Sequence, residues 1–223
     1  MLTNTTALLS ISAAAVILAL SAPDATAQSE SDLQLDMGTP IDEGATAEPQ
    51  MGETYIAEVT GDWEVRCIRT GLEHDPCALH QVLQDGEGNS VARIEMVNLP
   101  DGQEAAAGAT IVTPLETLLT RQLTLSVDGS AQRTYPFSFC SEGGCVSRVG
   151  FTEAEVNAFR RGAVARLTIF PAGAPETPVN LDASLTGFTD GFARITELND
   201  LNAQAIAEAQ AAAQGTEEAP AAE

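Results

Sequence analysis

Six side chains in this sequence have the types that bind metals or perform thiol chemistry: Cys67, His74, Cys77, His80, Cys140 and Cys145. Cys67, His74, Cys77 and His80 supply the two-cysteine, two-histidine ligand set of a zinc centre, but their spacing matches no finger pattern. Thiol–disulfide exchange at Cys140 and Cys145 needs a group that stabilises a thiolate, and Glu142 places a negative charge between them instead. The remaining chemistry is structural. An even cysteine number in two short-range pairs reads as a disulfide framework, with Cys67–Cys77 and Cys140–Cys145 preferred among three possible connectivities. Closing loops this short contributes about 2 to 3 kcal/mol each. A periplasmic thiol–disulfide or metal-binding protein that uses these cysteines is the alternative function.

Hydrolytic chemistry finds no footing. The chain holds no G-x-S-x-G elbow, no S-x-x-K box and no H-E-x-x-H helix. Asp62 and Glu64 alternate along one strand face, but scattered carboxylates in so acidic a chain read as solvated surface. No catalytic, cofactor-binding or metal residue is assigned, and the expectation is a protein that is not an enzyme and carries no cofactor.

Disulfides require an oxidising compartment, and the first 27 residues supply the address. Residues 6–20 form an alanine- and leucine-rich apolar run, and Ala25-Thr26-Ala27 offers the small-x-small pattern of a signal-peptide cleavage site before Gln28. The run is short for a membrane span, and no second one follows, so no integral span is expected after cleavage. No cysteine lies near the cleavage point to carry a lipid.

Charge divides the rest. The formal net charge is −22 and the chain has no lysine. Residues 28–60 carry eight acids and no base, residues 195–223 six acids and no base, and all ten arginines lie between. The expected organisation is therefore a signal peptide over 1–27, an acidic disordered linker over 28–60, a globular core over 61–194, and an acidic Ala/Gln/Glu tail over 195–223. Such flanks argue against nucleic acid or an anionic lipid surface as partner, since both demand clustered cations.

Within the core, short runs rich in Val, Ile, Leu, Thr and aromatics alternate with Gly, Pro, Asn and Asp. They place strands at 63–68, 77–83, 91–98, 109–112, 123–127, 134–139, 145–150, 164–170 and 179–185. Thr152-x-x-Glu155 is a capping box, Val156 and Phe159 share a helical face and Gly162 follows, which places one short helix over 153–161. The stretch 198–213 is rich in helix formers but offers little apolar surface for docking. Trp63, the sole tryptophan, is expected as a core anchor. Arg160 and Arg161 complement a helix C-terminus, with a cationic patch including Arg166 as the alternative.

Motifs in a fixed order carry a family likeness. Gly61-Asp62-Trp63-Glu64-Val65-Arg66-Cys67, Cys77-Ala78-Leu79-His80-Gln81, Thr113-Pro114-Leu115, Val127-Asp128-Gly129, Cys140-x-x-Gly143-Gly144-Cys145 and Ser184-Leu185-x-Gly187-Phe188 follow one another. In this order they resemble the invasion-associated locus B family of exported bacterial proteins, across nearly all of the core and none of the flanks. The resemblance implies a mostly β, immunoglobulin-like β-sandwich in the periplasm or cell envelope, outer-membrane associated or secreted, that binds a partner protein of the envelope or a host surface. It implies host-cell entry only where the source is a pathogen. It marks Trp63, Pro114, Gly144, Gly187 and Phe188 as motif residues. Departures occur where this family usually has glycine, at Glu116 and Gln122, and where it often has lysine, at Thr186. A lost glycine bears on any positive-φ turn at that place.

Overall fold

The computed structural model describes residues 48–217. The leader expected over 1–27, the first part of the acidic stretch and the last six residues lie outside them. Eleven strands follow in chain order: β1 (Thr54–Thr60), β2 (Trp63–Ile68), β3 (Cys77–Gln84), β4 (Ser90–Asn98), β5 (Ala107–Thr113), β6 (Leu123–Val127), β7 (Arg133–Tyr135), β8 (Phe139–Ser141), β9 (Gly144–Phe151), β10 (Val164–Ile169) and β11 (Val179–Ser184). Two helices, α1 (Glu153–Arg161) and α2 (Phe188–Glu217), complete the order, with a single 3-10 turn at Leu119–Arg121.

The strands form two antiparallel sheets. One has seven strands in the order β1-β2-β3-β4-β5-β9-β8, and the other has four in the order β11-β10-β6-β7. Period-two alternation dictates the faces. In β2, Trp63, Val65 and Cys67 are buried while Glu64 and Arg66 are partly exposed and Ile68 is exposed. Register carries that inward face on through Leu79, Met96, Ala109 and Val149. The core joins these residues to Leu125, Ala165, Leu167 and Leu181 of the second sheet and to Val156, Phe159, Phe188, Phe192 and Ile195 of the helices. The result is the expected mostly β sandwich with two local disulfides.

α1 begins at its capping box: Thr152 donates through its backbone N–H and its hydroxyl to Glu155 Oε2, at 2.8 and 2.7 Å. Gly162 ends it with φ −79°, which needs no glycine. Its requirement is space, because a Cβ there would stand 2.5 Å from Val127 Cγ1 and 2.9 Å from Leu185 Cδ1.

Four expectations change. Residues 54–60, assigned by charge to the disordered linker 28–60, form edge strand β1, paired to β2 from Thr54↔Ile68 to Thr60↔Trp63. An edge strand with most side chains in water tolerates acids, so composition concealed it. The boundary at 194/195 cuts through α2. Its apolar stripe of Phe188, Phe192 and Ile195, at i, i+4 and i+7, straddles that point, so the expected tail begins as a docked helix as far as Asn202 and continues largely exposed over 203–213, and a second helix joins α1. The single strand expected over 134–139 is split at Pro136: β7 pairs with β6 in the small sheet, and β8 pairs with β9 in the large one. The fourth concerns the lost glycine at position 122: Gln122 adopts φ 56° and ψ 169° despite its side chain.

Candidate functional site

The motif residues, scattered over more than a hundred positions, gather into two clusters. The first surrounds Trp63. Its indole Nε1–H donates to the Ser184 carbonyl at 2.8 Å, and its ring meets Phe188 edge-on at 5.5 Å. Gln81 Nε2 donates to the same carbonyl at 3.1 Å and to the Asp62 carbonyl at 2.9 Å. Gly61 and Gly187, at φ 59° and 83°, bring the β1–β2 and β11–α2 turns into contact. A Cβ on Gly187 would collide with the Thr60 carbonyl, and one on Gly61 would reach the Thr186 carbonyl at 2.5 Å. Trp63 is only 1% exposed. This cluster locks the first and last motifs of the core together and presents nothing to a ligand.

The disulfide Cys67–Cys77 closes the β2–β3 loop beside it, from directly paired positions. Within that loop, burial alone would raise the Asp75 carboxyl. Hydrogen bonds from the Thr70 N–H, the Tyr55 hydroxyl and the Thr70 hydroxyl, with the charge of Arg69, outweigh burial and hold it below the usual carboxylate range. α2 grips the loop from the other side. Asn199 accepts from Cys77 N–H at 2.8 Å and donates to its carbonyl at 2.9 Å, and Asn202 donates to the His74 carbonyl at 2.6 Å. Neither asparagine stood out in the sequence; their i, i+3 spacing is legible only once α2 is known to dock.

The four residues that suggested zinc do not converge. Cys67 and Cys77 are spent in a disulfide, and His80 lies three positions beyond Cys77, on the opposite face of β3. His80 is 4% exposed, its Nδ1 has no hydrogen-bond partner, and the Glu64 carboxylate stands 3.5 Å away. Burial and the charge of Arg66 push the imidazole below its usual value, against the opposing pull of Glu64 and Glu95. Among the described residues no group of three or more His, Cys, Asp or Glu side chains is placed to hold a metal ion.

The second cluster lies at the far side of the large sheet. β5 and β9 bring Thr113 opposite Cys145, which is disulfide-bonded to its own cross-strand partner Cys140. Gly144, at φ 123°, passes so close to β5 that a Cβ would strike the Thr113 carbonyl and stand 2.9 Å from Val112 Cγ1. Thr117 Oγ1 donates to the Pro114 carbonyl at 2.7 Å and fixes the turn that exposes Pro114 and Leu115. A cavity of about 220 Å³ opens here, with Arg93, Thr113, Pro114 and Gly143 in its wall. Arg93 is the residue that sequence reading missed. An isolated arginine in a strand carries no local signal, and only the register of β4 against β3 and β5 places it beside the motifs.

The candidate cationic patch disperses. Arg160 pairs with Glu153 at 3.0 Å and lies over the Phe192 ring, while Arg166 makes a two-pronged pair with Asp182 on the other sheet. No helix among the described residues is long and apolar enough to cross a membrane.

Comparison with known proteins gives the chain its relatives. An invasion protein B homolog of Brucella abortus strain 2308 is 27% identical over 148 residues, covering 66% of this chain and 83% of that protein. Its counterpart in Brucella abortus biovar 1 strain 9-941 matches to the same extent. The crystal structure of invasion associated protein B from Bartonella henselae superposes with a TM-score of 0.54 at 24% identity, over 64% of this chain and 97% of that one, a likeness of fold. The family model described as Invasion associated locus B (IalB) protein matches residues 63–196, from the Trp63 anchor into α2. A match over more than half the chain settles its membership: the chain belongs to the invasion-associated locus B family.

Proposed function

We propose that this protein is an exported, non-enzymatic binding module that works in the periplasm or at the cell envelope after removal of residues 1–27. Its partner is a protein of the envelope or, where the source is a pathogen, of a host surface. The observation that carries this reading is a contrast between spent and unspent side chains. The groups with chemical potential are committed to the fold: four cysteines to two disulfides, Asp75 to its loop, His80 to a buried position in the sheet. The large sheet meanwhile leaves Ile56, Val59, Ile68, Val82 and Phe139 between 45% and 62% exposed. These apolar groups are spread along one outward sheet face between its two edge strands, where they offer contacts to another protein. The net charge of −22 with no lysine supports a protein partner over nucleic acid or anionic lipid.

Crosslinking in intact cells tests the reading. A discrete heteromeric adduct is expected. Recovery of none, with a known envelope complex crosslinked in the same sample, overturns it. Intact mass of the purified protein checks the address: a chain beginning at Gln28 with both disulfides closed is expected, and an uncleaved or lipid-bearing chain contradicts export as a free protein.

A further inference from the structure

On the outward face of the large sheet, register aligns Val82 of β3, Arg93 of β4, Val112 of β5, Val146 of β9 and Phe139 of β8 in a single row. At ordinary strand spacing the row is about 19 Å long. Val82 and Phe139 are exposed at its two ends. Arg148 stands beside it with its guanidinium 5.7 Å from the centre of the Phe139 ring.

The charge of this face runs against that of the chain. Strands β2, β3, β4, β5 and β9 present three arginines outward, Arg66, Arg93 and Arg148, against two glutamates, Glu64 and Glu95. Arg66 holds Glu64 at 2.6 Å, whereas neither Arg93 nor Arg148 has a carboxylate within ion-pair distance among the described residues. Of the ten arginines in a chain with 32 acids, four (Arg93, Arg121, Arg148 and Arg161) have no carboxylate within ion-pair distance among the described residues, and two of these four border this one apolar row. The cavity beside Arg93 is walled by the motif residues Thr113, Pro114 and Gly143.

We propose that this row docks an acidic segment of a partner protein, whose carboxylate enters the cavity to pair with Arg93 while flanking apolar side chains cover Val82 and Phe139. The proposal rests on the binding function above and names its surface and the chemistry of its partner. A basic segment would meet two unpaired guanidinium groups. A wholly apolar one would strip water from them without replacement, and a buried charge without a partner is strongly unfavourable. A carboxylate among apolar neighbours, the anion that an unmodified protein segment supplies, satisfies both features. The overall repulsion between acidic chains does not forbid it, since the Debye length at physiological salt is about 8 Å and contact pairs act within that range.

The test is site-specific photocrosslinking in intact cells. A benzophenone side chain replaces Val82 in the full-length protein, or Asn180 on the other sheet as a comparison. The expected result is an adduct from position 82 whose crosslinked partner peptide, read by mass spectrometry, carries Asp or Glu among apolar residues. That adduct should fall about tenfold or more with Arg93→Glu, as loss and inversion of an interfacial charge requires. It should survive better with Arg93→Lys. Arg93 is exposed and unpaired, so both variants should keep the wild-type circular dichroism. An adduct indifferent to Arg93→Glu, a basic partner peptide or a second copy of this chain overturns the proposal. Adducts from position 180 and none from 82 overturn this surface and leave the binding function standing. Adducts from no position remove both.

Discussion

Gln122 holds a backbone conformation that its side chain disfavours, and Gln122→Gly should stabilise the protein. At φ 56° and ψ 169° the residue lies in a region that glycine occupies almost alone, between the 3-10 turn and β6. Such a conformation costs a residue with a Cβ about 1 to 3 kcal/mol. Glycine removes most of that cost but adds about 0.5 to 1 kcal/mol of chain entropy to the unfolded state. The side chain is exposed, and its backbone N–H bond to the Leu119 carbonyl, 3.1 Å, survives the change. Net stabilisation should therefore be about 0.5 to 2 kcal/mol, or a rise in Tm of about 1 to 8 °C for a domain this size. Thermal and urea unfolding of wild type, Gln122→Gly and Gln122→Ala measure it. Alanine keeps the Cβ and should give no gain. Equal midpoints for glycine and alanine, or a loss with glycine, would show that the backbone here carries no strain and refute the reasoning.

Other perturbations separate the remaining claims. Gly187→Ala should destabilise by about 2 kcal/mol or more, because a Cβ there meets the Thr60 carbonyl at a positive φ; Gly129→Ala, at φ 72° with nothing within 4 Å, should cost only about 1 kcal/mol. Urea unfolding of the two variants should show the larger fall in midpoint for position 187. Replacing Cys67 and Cys77 together by serine should lower stability by about 2 to 3 kcal/mol and speed hydrogen exchange along α2, whose Asn199 and Asn202 grip that loop; unchanged exchange would uncouple helix from loop. Acid should act in two steps. His80 is depressed in the fold, so as pH drops below about 6.5 the unfolded chain takes up a proton that the native one resists, and stability falls. The stabilisation from Asp75 is full above about 3.9 and is lost as pH falls through its lower native value. The difference between wild type and His80→Gln in urea midpoint, measured from pH 7.5 to 5, isolates the upper step, and a difference that does not move with pH would contradict it.

Most of the core was legible because its signals are local. Trp63, Val65 and Cys67 alternate with Glu64, Arg66 and Ile68, and that pattern alone states both the strand and its buried face. Thr152 and Glu155 announce α1 for the same reason. The failures came where composition was allowed to outweigh periodicity. Glu53 and Glu58 drew 54–60 into the acidic flank, although Glu58 is exposed at an edge and pairs with Arg194 at 3.1 Å. The absence of bases after Arg194 likewise hid that Phe188, Phe192 and Ile195 continue one helical stripe. The split of 134–139 between sheets depends on tertiary pairing that no six-residue window contains.

The site was legible only in half, and the reason lies in what each cluster does. Around Trp63 every motif residue serves the packing. The glycines admit a neighbouring carbonyl, Gln81 and the indole satisfy Ser184, and Phe188 fills the core. Residues of that kind announce themselves by type, because few others fit. At the second cluster the steric demand ends with Gly144, which must pass Thr113; exposed Pro114 and Leu115 and unpaired Arg93 contribute nothing that the fold requires. Replacing them should leave stability within about 0.5 kcal/mol of wild type, whereas the same number of changes around Trp63 should unfold the protein. A surface that the fold can do without, yet which gathers the turns at Pro114-Leu115 and Gly143-Gly144, an open cavity and an unpaired cation in an acidic chain, is the part of this molecule left free to meet a partner.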